Sequence, residues 1–237
     1  MRRCVSVCIV LSVLIAFGLL FQGCSSTGSS KQTAQPDARA RVTAAELKIV
    51  EETNRVRANP SAYARELQAE LNRNRSKMNR AEIAEYEAAI ACLNATSARN
   101  PLIFDEGLFR AAREHAVDMH TMNKLTHTGS DGSRPSERVA RHGSYRGSGE
   151  NVAGYGNRSL SRCCRTASDD CPIGRWDGGD LATAAFMVKA WVLSTTGHRQ
   201  NMLNERYTLI GPALVSGHTS RREFFWYSVQ KFAFSKN

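Results

Sequence analysis

The chain has 237 residues, 42% of them hydrophobic, which is enough for one sizeable core and too apolar for a disordered chain. It carries 32 Lys and Arg against 22 Asp and Glu, a formal net charge of +10. The basic residues are scattered rather than blocked and no nucleic-acid-binding motif with aromatic interleaving is present, which argues against nucleic acid as a partner and leaves anionic lipid, acidic polysaccharide or solubility as the reason for the charge.

Met1-Arg2-Arg3 precedes an apolar run from Cys4 to Phe21. This is the charged start and apolar middle of an export signal, and the run falls slightly short of the ~20 residues of a spanning helix. Gly23-Cys24-Ser25-Ser26 then reads as a lipoprotein processing site: residues 1–23 leave as the signal peptide, and Cys24 becomes the acylated first residue. Two acyl chains anchor a protein stably where one does not, so the expected location is the cell envelope, on a membrane surface. Phe21 and Gln22 stand where a leucine and a small residue are commoner, so cleavage without lipid and an uncleaved anchor are the rival readings. Of the ten net positive charges two, Arg2 and Arg3, lie in the leader, leaving eight on the mature chain. Residues 24–42 are rich in Ser, Thr, Gly, Gln and Ala and read as a flexible tether.

Cys4 and Cys8 leave with the leader and Cys24 takes lipid, which leaves Cys92, Cys163, Cys164 and Cys171 in an oxidising compartment. Four cysteines allow three pairings. Direct neighbours rarely bridge each other, so Cys92 and Cys171 are expected to pair with Cys163 and Cys164 in one order or the other. A zinc site from the last three would lack the Cys-x-x-Cys pairs of structural zinc modules.

Residues 43–237 read as one domain with insertions near 72–93 and 157–180. Thr43-Ala-Ala-Glu46 is a capping box, so a helix starts there and runs through Asn54 and Arg57 to about Ala58, where Asn59-Pro60 breaks it. Pro60 suits the first turn of a second helix, to about residue 71. The basic, polar stretch 72–79 reads as a loop, and Ile83, Tyr86, Ile90 and Leu93 predict a helix over 80–93. Asp105 caps the next helix, whose apolar stripe holds Leu108, Ala111, Ala112, His115, Ala116, Met119 and Met122. His115, on that stripe, reads as a core histidine and His120, off it, as exposed. A loop carrying His127 follows, then a short helix over 133–141 with Pro135 in its first turn and Gly143 at a left-handed end. Gly147-Ser-Gly149 delivers Glu150 into an irregular stretch, and 157–180 reads as a disulfide-tied loop. Asp180 caps a helix with Ala182, Phe186, Ala190 and Leu193 on one side, and Gly197-His198 follows. Strands are predicted over 209–215 and 224–232, with Pro212 forcing an exposed edge or a bulge. Helices around a few late strands make an α+β layered fold.

Five motifs stand in a telling order: Asn54-Arg-Val-Arg57, His115-Ala-Val-Asp-Met119, Thr126-His127-Thr128, Gly149-Glu150-Asn151 and Gly197-His198-Arg199. Together they resemble the CAP superfamily, also called the SCP or YkwD-like domain, in its bacterial form, over about residues 45–235. The resemblance implies a three-layer α-β-α sandwich with a cleft that eukaryotic members line with two histidines and two glutamates. His127, Glu150 and His198 match three of these; the second glutamate would stand three residues after Trp191, where this chain has Ser194. The resemblance further implies binding of a sterol, lipid or small molecule, divalent-cation dependence in some members, and in others a proposed proteolysis.

Two imidazoles and a carboxylate with an open fourth position have the composition of an exchangeable zinc site, so His127, Glu150 and His198 are the candidate metal ligands, and with Ser194 the candidate ligand-binding set. No cofactor is required by the sequence; a divalent cation such as zinc is the one it could accommodate. Glu150 could equally act as a general base. Against an enzyme, there is no His-Glu-x-x-His or Gly-x-Ser-x-Gly, and Ser194 has no acidic partner within the motif to orient His198. No catalytic nucleophile is identified, and the residues point to binding rather than turnover. Three readings stand: a cleft for a ligand or cation, a structural polar network tying loops to the sheet, and a metal-assisted hydrolase acting on envelope peptide or polymer.

Overall fold

The computed structural model describes residues 42–156, 180–218 and 224–236. The leader, the tether with Cys24, and Cys163, Cys164 and Cys171 lie outside the described residues. Cys92 is half-buried on the second helical hairpin and forms no disulfide among them.

Both reciprocal bonds of the Thr43 capping box are present and open α1, Ala44–Ala58. Asn59 ends α1 and caps α2, Pro60–Asn74, its side chain accepting from the Ala62 amide at 3.0 Å. The expected loop at 72–79 shrinks to a 3-10 turn, Arg75–Lys77, because Asn79 and Glu82 form a further capping box that opens α3, Arg80–Asn94. Leu67, Leu71, Tyr86, Ile90 and Leu93 fill the seam between α2 and α3 and join the main core. Then come β1 (Ile103–Phe104), α4 (Glu106–Met122), α5 (Pro135–Ala140) and β2 (Tyr145–Gly156). The chain continues through α6 (Asp180–Leu193), α7 (His198–Leu203), β3 (Leu209–His218) and β4 (Phe224–Lys236).

The strands form one sheet in the order β1-β3-β4-β2, with β1 parallel to β3 and the other pairs antiparallel. Alternation along the strands gives the sheet two faces. Ala213, Val229 and Val152 point to one and meet Ala112, Ala116 and Met119 of α4. Ile210, Leu214 and Phe232 point to the other and join Ile49 of α1 and Met187, Val188 and Trp191 of α6. The expected three-layer α-β-α sandwich is therefore the architecture found. Pro212 sits beyond the end of two-residue β1, and Leu214, two residues on and facing the same way, gives its amide to the buried Glu46 carboxylate at 3.2 Å. The exposed edge expected at Pro212 is therefore not found: Pro212 is buried, and α1 covers that edge.

Several expectations need correction. Glu150 lies in a twelve-residue strand, β2, not in an irregular stretch. Its glycines and serines conceal it, because its pairing with β4 rather than its propensity makes it a strand. Short β1 carried no strand signal. Gly143 is not left-handed; among the described residues the positive-φ glycines are Gly132, Gly147 and Gly197, and Asn123 at φ 49° ends α4. His120 is half-buried and meets the Tyr227 ring edge-on, so it is not the exposed residue expected. On α6 the fully buried side chains among the described residues are Thr183, Ala184, Met187, Val188, Trp191 and Val192, while Phe186, Ala190 and Leu193 are half-buried. A helix apolar on nearly all sides offers no phase to read. Its first residue is Asp180 itself, so its cap falls outside the described residues. Among those residues no helix is long and apolar enough to cross a membrane.

Helix α4 approaches β3 so closely that a Cβ on Gly211 would lie 2.0 Å from the Phe109 nitrogen and 2.2 Å from the Leu108 carbonyl carbon. Both obstacles are backbone, so neither can swing aside. Gly211→Ala should cost ~3 kcal/mol, the upper end of overpacking, and urea denaturation should show it as a lower midpoint.

Candidate functional site

The site is assembled by loops and strands that the two helical layers hold against β2. After Asn123 turns the chain out of α4, the loop carrying His127 is pinned twice through its carbonyls. The His115 ring donates from Nε2 to the Thr126 carbonyl at 2.7 Å, and Arg138 of α5 donates to the His127 carbonyl at 2.8 Å. His115 is thus the buried core histidine that its place on the stripe predicts.

Glu150 points from β2 into this pinned region, its side chain 2% exposed. Its Oε1 lies 2.8 Å from His127 Nδ1, and Arg138 Nη2 lies 3.1 Å from Oε2 and 3.3 Å from Oε1. Lys231, paired with Glu150 across the β2–β4 register, places its ammonium on Oε2. Burial alone would push the Glu150 carboxyl up; the His127 hydrogen bond and the Lys231 charge outweigh it and hold the group at about 2. Burial pulls Lys231 the other way, down to about 8 despite the neighbouring carboxylate. An ionised carboxylate only accepts, so the shared proton belongs to His127 Nδ1, and in the neutral ring Nε2 keeps its lone pair. The His127 side chain is 52% exposed, so that second nitrogen can meet solvent or a ligand.

His198 comes from the other side of β2. Gly197, at φ 99°, turns the chain into α7, and His198 is its first residue. The Asn151 side chain, next to Glu150 but on the opposite face, donates to the His198 carbonyl at 3.1 Å. Asn201 donates to the Asn151 side chain at 2.9 Å and to the Glu150 carbonyl at 3.3 Å. A polar chain continues from Asn151 through Gln230 to Thr53 of α1. Arg57, fully buried, staples the other end of α7 with bonds of 2.7 Å to the Met202 carbonyl and 2.9 Å to that of Asn204. Burial, with Arg99 nearby, lowers Arg57 to about 10, so it keeps its charge at neutral pH. Burial also lowers the His198 ring, and the charge that adds to this effect is that of His127.

His127 and Glu150 are therefore in contact, and His198 flanks the same segment of β2 with no ring hydrogen bond to either among the described residues. The three do not form the open metal-ligand set expected. Among the described residues no three histidine, cysteine or acidic side chains are placed to hold a metal ion. The physical reason is that Glu150 is already occupied by two cations and an imidazole. Ser194 is spent on its own turn, bonded to the Thr196 hydroxyl at 2.9 Å and accepting the Thr196 amide at 3.2 Å. A groove of about 620 Å³ runs along α5 and the first half of β2, lined by residues including Ser136, Val139, Tyr145 and Ser148; none of the expected site residues lines it.

A family model described as CAP, the cysteine-rich secretory protein family, matches residues 50–232. The chain belongs to the CAP family. This CAP chain is also similar in structure to an outer surface protein from Borrelia burgdorferi, at 21% identity and a TM-score of 0.39, over 65% of this chain and 92% of that one. A second likeness is to an extracellular protein containing a SCP domain from Bacillus anthracis, at 20% identity and a TM-score of 0.36, over 68% of this chain and 41% of that one. The chain thus spans less than half of that second protein. No curated protein matches the chain.

Arg138 and Lys231 are the site residues of this CAP domain that sequence reading missed. Arg138 lies in Pro135-Ser-Glu-Arg138-Val-Ala, where it reads as one more charge of a short surface helix, and Lys231 lies between Gln230 and Phe232 in an aromatic strand. A lysine in the middle of a buried strand asks for an acid, and Glu150 was the acid available.

The pH dependence follows from these directions. The stabilisation from Glu150 is whole above the ordinary carboxyl value of 4.5 and drains as pH falls toward about 2. His115 and His198, both held below 6.5, bring an earlier loss, because the unfolded rings take up protons that the buried rings resist. Glu150→Gln should remove on the order of 3 kcal/mol at neutral pH and flatten the acid limb between 4.5 and 2, while the limb near 6.5 remains; urea unfolding at a series of pH values checks both.

Proposed function

We propose that this CAP protein is held at the cell envelope by lipid on Cys24 and that it binds a lipid or other small molecule at His127 and His198, through the outward edge of the His127 ring. The observation that carries the reading is a half-exposed imidazole backed by a buried, ionised carboxylate at 2.8 Å. Such a backing fixes one ring nitrogen as a donor and leaves the other as an acceptor aimed outward. An acceptor seeks either a hydroxyl or a cation. The charge of Glu150 is already balanced by Lys231 and Arg138, so little negative field remains to favour a divalent ion, and a ligand presenting a hydroxyl suits the site better.

The hydrolase reading has less support. A carboxyl held at about 2 is a poor proton acceptor at neutral pH, and the Ser194 hydroxyl is tied to Thr196.

Two experiments test the proposal. A fluorescent sterol and a fluorescent diacylglycerol, each with a free hydroxyl, are titrated against wild type and His127→Ala. Saturable binding to at least one, weakened roughly 10-fold by the loss of one good hydrogen bond, is expected. Binding of neither probe, or binding indifferent to the substitution, would contradict the reading, and zinc binding that vanishes when His127 and His198 are both replaced by alanine would transfer the site to a cation. Separately, Cys24→Ala should release the protein from membranes on fractionation; unchanged partitioning would refute the lipid anchor.

A further inference from the structure

Lys231 enters the site from β4, outside the five motifs quoted from the sequence, and is fully buried. Among the described residues its ammonium meets two acceptors, Glu150 Oε2 and the Pro135 carbonyl at 3.2 Å. The second contact ties it to the first turn of α5, so the ammonium is held from a helix as well as from the sheet.

The two oxygens of Glu150 are unequally served. Oε1 takes the His127 proton at 2.8 Å, and Oε2 takes Lys231. Arg138 straddles both at 3.3 and 3.1 Å and does not choose between them. A guanidinium left alone with a carboxylate settles into a symmetrical two-pronged pair, and that arrangement would draw Oε1 away from His127. Among the described residues only Lys231 touches one oxygen alone from the cationic side.

We propose that Lys231 is a positioning residue of the cleft. By holding Oε2 it turns Oε1 onto His127 Nδ1, which fixes the orientation of the imidazole, keeps its proton on Nδ1 and presents Nε2 outward. The use of that outward nitrogen by a ligand rests on the function proposed above; the placement of the proton does not, and it can be read without any ligand.

The test is the pair of ring ¹⁵N resonances of His127, recorded by long-range proton–nitrogen correlation on labelled wild type and Lys231→Met under conditions where the ring is neutral. Methionine keeps the apolar stem and length of lysine, and β4 amide shifts report whether the strand is intact. In wild type the two nitrogens should be far apart, with the protonated signature on Nδ1. In Lys231→Met the two resonances should move toward each other as the ring samples both tautomers. A folded Lys231→Met protein whose His127 resonances stay at their wild-type positions overturns the proposal. If the substituted chain does not fold, wild type still decides: a proton on Nε2 of the neutral ring overturns it, because Glu150 would then not be aimed at Nδ1. A purely structural lysine would lower stability and leave the ring resonances where they were.

Discussion

A carboxylate buried to 2% exposure cannot stand alone, since the cost of removing an ion from water is several kcal/mol unless other charges and hydrogen bonds replace the solvent. Glu150 meets that demand with Arg138, Lys231 and His127 at once, and the elements that bring these residues together are the ones that build the site. The loop after α4 must be closed for His127 to arrive, α5 must dock for Arg138, and β2 must pair with β4 in its observed register for Lys231. A shift of one residue in that register would send either Glu150 or Lys231 to the opposite face of the sheet.

The other side of β2 follows a different rule. There a chain of uncharged groups does the holding: Asn151, Gln230, Asn201 and Thr53 are bonded one to the next from α1 to α7. Such a chain holds its members in one arrangement because any broken link leaves a buried donor or acceptor unpaired. His198 is thus positioned by its backbone, while His127 is positioned by its ring. Of the two imidazoles, His127 is the one whose proton the protein dictates.

The helical layers were largely legible in the sequence because their signals are local. Thr43 with Glu46, Asn59 with Pro60, and Asp105 before a clear apolar stripe each mark a boundary within a few residues. The later strands were legible through their aromatic and β-branched content. Strand β2 was not, since its glycines and serines carry no such content and its partner lies some eighty residues on. The same distance hid Lys231, while Arg138, twelve residues before Glu150, carries no local signal of burial. The motifs correctly singled out His127 and Glu150 as neighbours, yet they gave no hint that Glu150 serves two buried positive charges, and so the carboxylate read as a free metal ligand or base. Ser194 read as a cleft residue for a similar reason, because its bond to Thr196 depends on the turn geometry before α7.

The central claim is that Glu150 is an ionised support for His127. Neutron diffraction from a crystal grown where the histidine ring is neutral would show the protons themselves. The account predicts one proton on His127 Nδ1, none on Nε2, none on either Glu150 oxygen and three on Lys231. A proton found on Glu150, or a His127 ring protonated only at Nε2, would contradict it.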